Sequence, residues 1–268
     1  MESLVLNVGC SNVWPDLAVE VLPTMDSTNS ELLRRARVGC IGPVLLVAMH
    51  QTEGRGRLDR RWHSRGATSL NGLASLTFSL GLPLAISDCS GLSLAVGVAL
   101  AESLHPLVQL KWPNDLWWQG RKLAGILIET VGCRVVTPWS RSVRYTVIGI
   151  GMNVTRPVDA PFPIEPAWLT EIDPDTNAVE ALQRLVAPLL QNLSTFVESG
   201  FAPFQARFNA RDALWGVPVT MSDGSEGIAD GVDPTGALRL RTAQGHQRVA
   251  YAEVLAMSVR KSDRMETA

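Results

Sequence analysis

Apolar residues along this chain fall into short runs of strand length separated by turns, with a few stretches of helical period between them. Residues 42–49 form one such run, and 69–82 alternate, with Leu76, Phe78 and Leu80 on one face. Residues 110–129 read as a strand, a Pro113-Asn114-Asp115 turn, a short strand, a Gln119-Gly120 turn and a longer strand to Glu129. A further strand is expected over 145–154. The helical signals lie elsewhere. Thr28 and Glu31 have the spacing of a capping box, and Gly39 is placed to stop the helix that follows. Residues 92–104, rich in Ala and Leu, predict a buried helix ended by Pro106. Residues 179–208 repeat the helical period, with interruptions expected at Pro188 and Gly200.

Between these blocks, residues 155–177 are rich in proline and read as a connection over the surface. From about Trp215 the texture changes to short strands, at 217–222, 227–232, 237–242 and 248–252. Ser222-Asp-Gly-Ser and Asp233-Pro-Thr-Gly supply the tight turns. This pattern predicts a small all-β barrel of roughly 50 residues, and hence two domains, 1–212 and 213–268. Residues 1–24 are mixed and too short for a helix-turn-helix module, so no DNA-reading domain is expected ahead of the core.

Composition narrows the class. An apolar fraction of 46% with 19% charged residues belongs to a core-forming globular chain. A net charge of −2 gives no global drive toward nucleic acid, so any phosphate binding must be local. The four cysteines, Cys10, Cys40, Cys89 and Cys133, include no CxxC pair and are expected to be reduced and mostly buried. The four histidines lack metal-ligand spacing, which argues against a zinc site. The start of the chain has no basic signal region, and the longest apolar runs, 43–49 and 92–101, fall far short of a membrane span. A cytoplasmic protein without membrane attachment is expected.

The chemistry concentrates in residues 51–62. Arg55, Arg57, Arg60 and Arg61 lie close together, with Gly54 and Gly56 interleaved and Trp62 closing the run. Like charges packed this tightly repel one another, so the segment is expected to be an exposed loop when nothing is bound. Glycine lets backbone approach a ligand, guanidinium forks suit phosphate or carboxylate oxygens, and Trp62 offers a face for a purine. Lys111 and Lys122 flank Asn114-Asp115 in the predicted hairpin. Lys122 heads an apolar strand, where an ammonium needs a partner such as a ligand carboxylate. Gly149-Ile-Gly-Met-Asn153 is no dinucleotide fingerprint, since the third glycine and the helix are missing. Its glycines instead let a ligand or backbone pass close, with Asn153 turned inward.

Together these stretches resemble the biotin protein ligases (biotin–[acetyl-CoA-carboxylase] ligases). The resemblance is carried by Ser27-Thr-Asn, Gln51 with Gly54-Arg-Gly-Arg and Trp62, Lys111-Trp-Pro-Asn-Asp, Lys122-Leu-Ala-Gly-Ile-Leu-Ile-Glu and Gly149-Ile-Gly-Met-Asn, in that order. It implies an α+β fold: a mixed β-sheet with helices, similar to the class II aminoacyl-tRNA synthetase core, followed by a C-terminal SH3-like barrel. Composition alone permits a doubly wound α/β fold as well. It also implies a two-step reaction, in which biotin and MgATP give biotinyl-5′-AMP and the adenylate acylates one lysine of a biotin carboxyl carrier protein of acetyl-CoA carboxylase.

Carried over by motif, Ser27, Thr28, Asn29, Gln51, Arg55, Gly56, Arg57 and Lys122 are expected at the biotin end. Gly54, Arg55, Arg57, Trp62, Asn114, Lys122 and Asn153 are expected at the adenylate, with Trp62 against the adenine. Arg55, Lys111, Asp115 and Lys122 are the catalytic candidates. Asp115 is expected to orient the acceptor lysine or to stand near the magnesium that accompanies ATP, with no metal site made by protein alone. The implied enzyme is monofunctional, without a DNA partner, and a monomer or homodimer. Two departures from the family pattern stand out. Asp59 replaces a usual glycine, where it could pair with Arg57 or Arg61, and the stretch 63–74 is several residues longer. The rival readings are a lipoate–protein ligase, against which the Arg-Gly-Arg loop argues, and a non-catalytic adenylate- or RNA-binding module.

Overall fold

The computed structural model describes Trp14 and residues 16–64, 70–132, 143–157 and 162–257. Seven strands make the main sheet: β1 (Ala18–Met25), β2 (Val44–Gln51), β3 (Ser75–Leu84), β4 (Gln109–Lys111), β5 (Asp115–Trp118), β6 (Arg121–Gly132) and β7 (Arg144–Asn153). Their order across the sheet is β1-β2-β3-β7-β6-β5-β4. Only β1 and β2 run parallel, because helix α1 (Thr28–Arg37) returns the chain between them; all other neighbours are antiparallel. This mixed topology rules out a doubly wound sheet.

The central strands read as continuous apolar runs because both of their faces are covered. On β2, Leu45 and Val47 join the large core, while Val44 and Leu46 face α1 with Leu32, Leu33 and Ala36. On β7, Ile148, Ile150 and Met152 point one way, and Tyr145 and Val147 the other. The large core is filled by α2 (Leu92–Leu104), whose residues from Leu94 to Ala101 are all buried, and by the stripe of α3 (Ala178–Ser199). The α2 bounds agree with those read from sequence.

Other expectations change. The expected break at Pro188 is absent: α3 runs through it and ends only at Gly200, where φ is +65°. A mid-helix proline costs about 3 kcal/mol, and the burial of Leu182, Leu185, Leu189, Leu190, Leu193 and Phe196 outweighs it. The connection after β7 is not purely superficial, since Ala167, Trp168 and Leu169 are buried. Cys40 is exposed and Cys89 half-buried, both free thiols, while Cys10 and Cys133 lie outside the described residues.

After the short helix α4 (Gln205–Asn209), five strands form an antiparallel sheet. They are β8 (Pro218–Met221), β9 (Glu226–Val232), β10 (Leu238–Thr242), β11 (Gly245–Val249) and β12 (Val254–Met257), in the order β11-β10-β9-β8-β12. Four strands were expected and five occur. Among the described residues the two edge strands do not pair, so the sheet is not closed there, and its antiparallel order is consistent with the small barrel expected.

This sheet is sewn to the main one. Leu110 of β4 accepts from Ala213 N–H at 2.9 Å and donates to the Arg211 carbonyl at 2.8 Å. The Trp112 indole donates to the Gly236 carbonyl at 3.1 Å. Asp212, at the same joint, accepts from Leu214 N–H at 2.9 Å through one oxygen, and its other oxygen has no partner among the described residues. Burial pushes its pKa up to about 6.

Candidate active site

Helix α1 begins where the cleft begins. Its N-cap is Ser27, whose hydroxyl accepts from Ser30 N–H at 3.4 Å. Thr28 is therefore not half of a capping box, and Glu31 instead pairs with Arg34 and Arg35. Tertiary partners take Thr28: its N–H and hydroxyl both donate to Gln51 Oε1, at 2.8 and 3.1 Å. Ser79 of β3 lies 2.6 Å from both Thr28 Oγ1 and Asn29 Oδ1. The Asn29 amide donates onward to the Leu127 carbonyl at 3.2 Å and to Glu129 Oε2 at 3.0 Å. Ser64 holds the Gln51 backbone, accepting from its N–H at 2.8 Å. Thr28, Asn29 and Ser79 are buried, so each polar atom here must be partnered, and the string from Gln51 to Glu129 meets that requirement.

The glycines of β6 and β7 make room for this set. A Cβ on Gly149 would lie 2.1 Å from Asn29 Oδ1, one on Gly151 2.4 Å from the Trp62 ring, and one on Gly125 3.1 Å from Lys122 Nζ. The Gly-x-Gly pair thus admits side chains, not backbone, against the sheet. Trp62 lies flat over Gly151 with its buried indole N–H unpartnered among the described residues.

Among the described residues, every cation of the cleft except Arg61 has a carboxylate. Lys122 Nζ is 2.7 Å from Asp115 Oδ1 across the β5–β6 hairpin, so its partner belongs to the protein. Arg55 grips Glu129 with both terminal nitrogens, at 2.9 and 3.2 Å. Arg57 Nε is 3.5 Å from Glu253 Oε1, and Arg60 binds the other oxygen of the same carboxylate. Glu253 is buried and comes from the C-terminal sheet, just before β12.

The expected self-repelling loop is therefore a tethered one, folded by bonds from Gly56 N–H to the Arg60 carbonyl and from Trp62 N–H to the Gly54 carbonyl. Asp59 does not take up the expected pairing with Arg57 or Arg61, since Glu253 holds Arg57 and among the described residues no ion pair reaches Asp59. Its φ is +56°, a left-handed conformation in which glycine is at ease and aspartate is tolerated. Part of the long stretch after Trp62, residues 65–69, lies outside the described residues.

These groups surround one cavity of about 150 Å³. Of the residues expected at the site, Ser27, Thr28, Asn29, Gln51, Arg55, Gly56, Arg57, Trp62, Asn114, Asp115 and Lys122 line it. Three do not. Gly54 packs against the Trp62 carbonyl, and Asn153 donates to the Lys122 carbonyl at 3.3 Å. Lys111 lies over the Trp117 ring at 4.9 Å, and burial lowers its pKa. Asn114 also serves the hairpin, donating to the Ile126 carbonyl at 2.9 Å.

Sequence reasoning missed Ser79, Glu129 and Glu253. Glu129 closed a quoted motif and was the one with a signal, a carboxylate ending an apolar strand. A shallower depression of about 530 Å³ adjoins the cavity, sharing Arg57, Asn114, Ile126 and Leu127 and bordered by the exposed Tyr251.

Residues 23–153 match the biotin/lipoate A/B protein ligase family, and residues 216–256 match the biotin protein ligase C terminal domain. The chain is 35% identical over 234 residues to the bifunctional ligase/repressor BirA of Escherichia coli (strain K12), covering 83% of this chain and 69% of that protein. It is 32% identical over 255 residues to the biotin--[acetyl-CoA-carboxylase] ligase of Paracoccus denitrificans, covering 87% of this chain and 98% of the relative. Among solved structures, the biotin protein ligase from Aquifex aeolicus in complex with biotin and ATP superposes with a TM-score of 0.74 at 26% identity. That match spans 90% of this chain and 99% of the other.

Proposed function

The chain belongs to the biotin protein ligase family, and on that premise we propose that it activates biotin with ATP and transfers it to a lysine of the biotin carboxyl carrier protein of acetyl-CoA carboxylase. In the first step a biotin carboxylate oxygen bonds to the α-phosphorus of ATP while the α–β phosphoanhydride breaks, giving biotinyl-5′-AMP and pyrophosphate. In the second, the acceptor lysine's neutral amine bonds to the acyl carbon, AMP leaves with the electron pair of the C–O bond, and the proton shed by the nitrogen passes to water. We place this chemistry in the cytoplasm.

The observation that carries the reading is the convergence on one cavity of three cations, Arg55, Arg57 and Lys122, with a buried hydrogen-bonding string, Gln51, Thr28 and Asn29. Two anions must meet in the first step, and fixed cations offset both their repulsion and the charge that develops on phosphorus. Lys122 and the arginines do this at the junction of acid and nucleotide, while the polar string takes the far end of the acid. The Trp62 face flanks the base. In this reading Asp115, beside Lys122, orients the acceptor lysine, which enters through the depression bordered by Tyr251. Magnesium in this reading enters on the phosphates of ATP and neutralises their charge. The Asp115 carboxylate already faces an ammonium, and among the described residues no three acidic, histidine or cysteine side chains gather into a cage.

The test is biotin-dependent exchange of labelled pyrophosphate into ATP, with lipoate as a parallel substrate and Lys122→Ala as control. Exchange with biotin, absent with lipoate and lost in the variant, is the expected result. Exchange with neither acid sinks the reading.

A further inference from the structure

Glu129 stands out because a carboxylate beside a site for two anionic substrates works against binding unless it does something else. It sits on β6, in the middle of the main sheet and paired across to Val147 of β7. Its two oxygens receive the two terminal nitrogens of Arg55 at 2.9 and 3.2 Å, and one also receives the Asn29 amide at 3.0 Å. Arg55 NH1 lies a further 3.4 Å from Ser30 Oγ. One rigid acceptor thus joins the glycine-hinged loop to the buried string at the other end of the cleft.

We propose that Glu129 is a positioning residue for adenylation, fixing the Arg55 guanidinium and Asn29 relative to each other before the acid arrives; this rests on the ligase reading given above. A two-point grip fixes the plane of a guanidinium as well as its position, which a single contact cannot do. It leaves the remaining Arg55 N–H donors free for a ligand oxygen. An arginine on a loop beside Gly54 and Gly56 would otherwise have to be ordered at the moment of binding, at a cost in side-chain and backbone entropy. Ser79 completes the arrangement from the opposite side, since Asn29 Oδ1 lies 2.6 Å from its hydroxyl. Asn29 is therefore held at both ends of its amide, and one of those ends is Glu129.

The experiment compares wild type, Glu129→Gln, Arg55→Ala and the double variant in pyrophosphate exchange, alongside tryptic cleavage of the native proteins within the arginine loop. Glutamine keeps the size and one acceptor but loses the charged fork. The expected result is a KM for biotin raised roughly tenfold in Glu129→Gln, with kcat changed far less, and faster cleavage after Arg55 at an unaltered melting temperature. Because glutamine still accepts from the Asn29 amide and loses only the charged fork on Arg55, adding Glu129→Gln to Arg55→Ala should change KM little further. Glu129→Asp, which retains the charge, should restore part of the loss. Unchanged KM and cleavage in Glu129→Gln, or kinetic effects that simply add in the double variant, overturn the proposal. Failure of the wild type to exchange pyrophosphate counts against the ligase reading alone, and the cleavage comparison then decides the tether by itself.

Discussion

The cleft receives its positive charge by two routes that differ in construction. Lys122 is delivered by the β5–β6 hairpin, and its partner, Asp115, stands on the neighbouring strand of the same hairpin. The arginines are delivered by a loop, and their partners lie far off in sequence, on β6 for Arg55 and in the C-terminal sheet for Arg57 and Arg60. The hairpin cation is paired by local geometry, and only its backbone carbonyl takes distant partners, Asn153 and Ala167. The loop cations are placed only when three separate parts of the chain have come together. Under the function proposed above, the two routes take different tasks: one charge fixed by its hairpin at the reacting atoms, and several held around them by distant tethers.

Substitutions can break that comparison, and the largest effect should come from the hairpin. Lys122→Ala should lower biotin-dependent pyrophosphate exchange by about 10²–10³-fold, the usual loss when a fixed electrostatic contact to a transition state is removed. The melting temperature should hold, because this side chain is partly exposed. A loss as large from any single arginine would erase the distinction between the routes.

Next in size is Gly149→Ala. The added methyl would sit 2.1 Å from Asn29 Oδ1 and must displace the buried amide. Overpacking of this kind costs about 1–3 kcal/mol, so thermal unfolding should shift downward and the KM for biotin should rise. A variant with wild-type KM would show that Asn29 is not used at the acid end.

Glu253→Gln should act more gently, on closure and not on chemistry. Release of preformed biotinyl-adenylate, followed by chasing with unlabelled biotin, should quicken by roughly tenfold, in line with the loss of a charge-assisted pair. Single-turnover formation of the adenylate should change less than its release.

The effect on turnover should be smallest, and the effect on stability pH-dependent, at the joint between the two sheets. Burial raises the Asp212 pKa to about 6 from 3.8, so the folded protein binds a proton more tightly there than the unfolded chain does. This group therefore adds stability below pH 4, loses that contribution as pH rises through 6, and opposes folding by up to about 3 kcal/mol relative to its protonated form at pH 7.5. Asp212→Asn should melt higher than wild type at pH 7.5, with the gap narrowing toward pH 4.5. A gap independent of pH would assign the effect to something other than ionisation.

What could be read in the sequence divides along the same line. The β5–β6 hairpin, the α2 bounds and most of the cleft lining were legible because turn residues and apolar runs act over short distances. Thr28 and Glu31 satisfied the spacing of a capping box, yet Gln51 and Ser79 claimed Thr28, and Ser27 took the cap. The dense arginines marked a loop that does line the cavity. Their repulsion was misjudged because their counter-charges are not neighbours in sequence. Glu129 lies 74 residues beyond Arg55, and Glu253 193 residues beyond Arg60. Strand β12, unforeseen, follows directly on Glu253.

That last separation also bears on how the enzyme is made. A ribosome adding about 5–20 residues per second needs roughly 10–40 s to travel from Arg60 to Glu253. During that interval the main sheet can form with its arginine loop still unfastened. The carboxylate that fastens it arrives among the last of the described residues. Completion of the cleft thereby waits on synthesis past residue 253, and a chain ended before it would carry the buried Gln51–Asn29 string without the Glu253 clasp on Arg57 and Arg60.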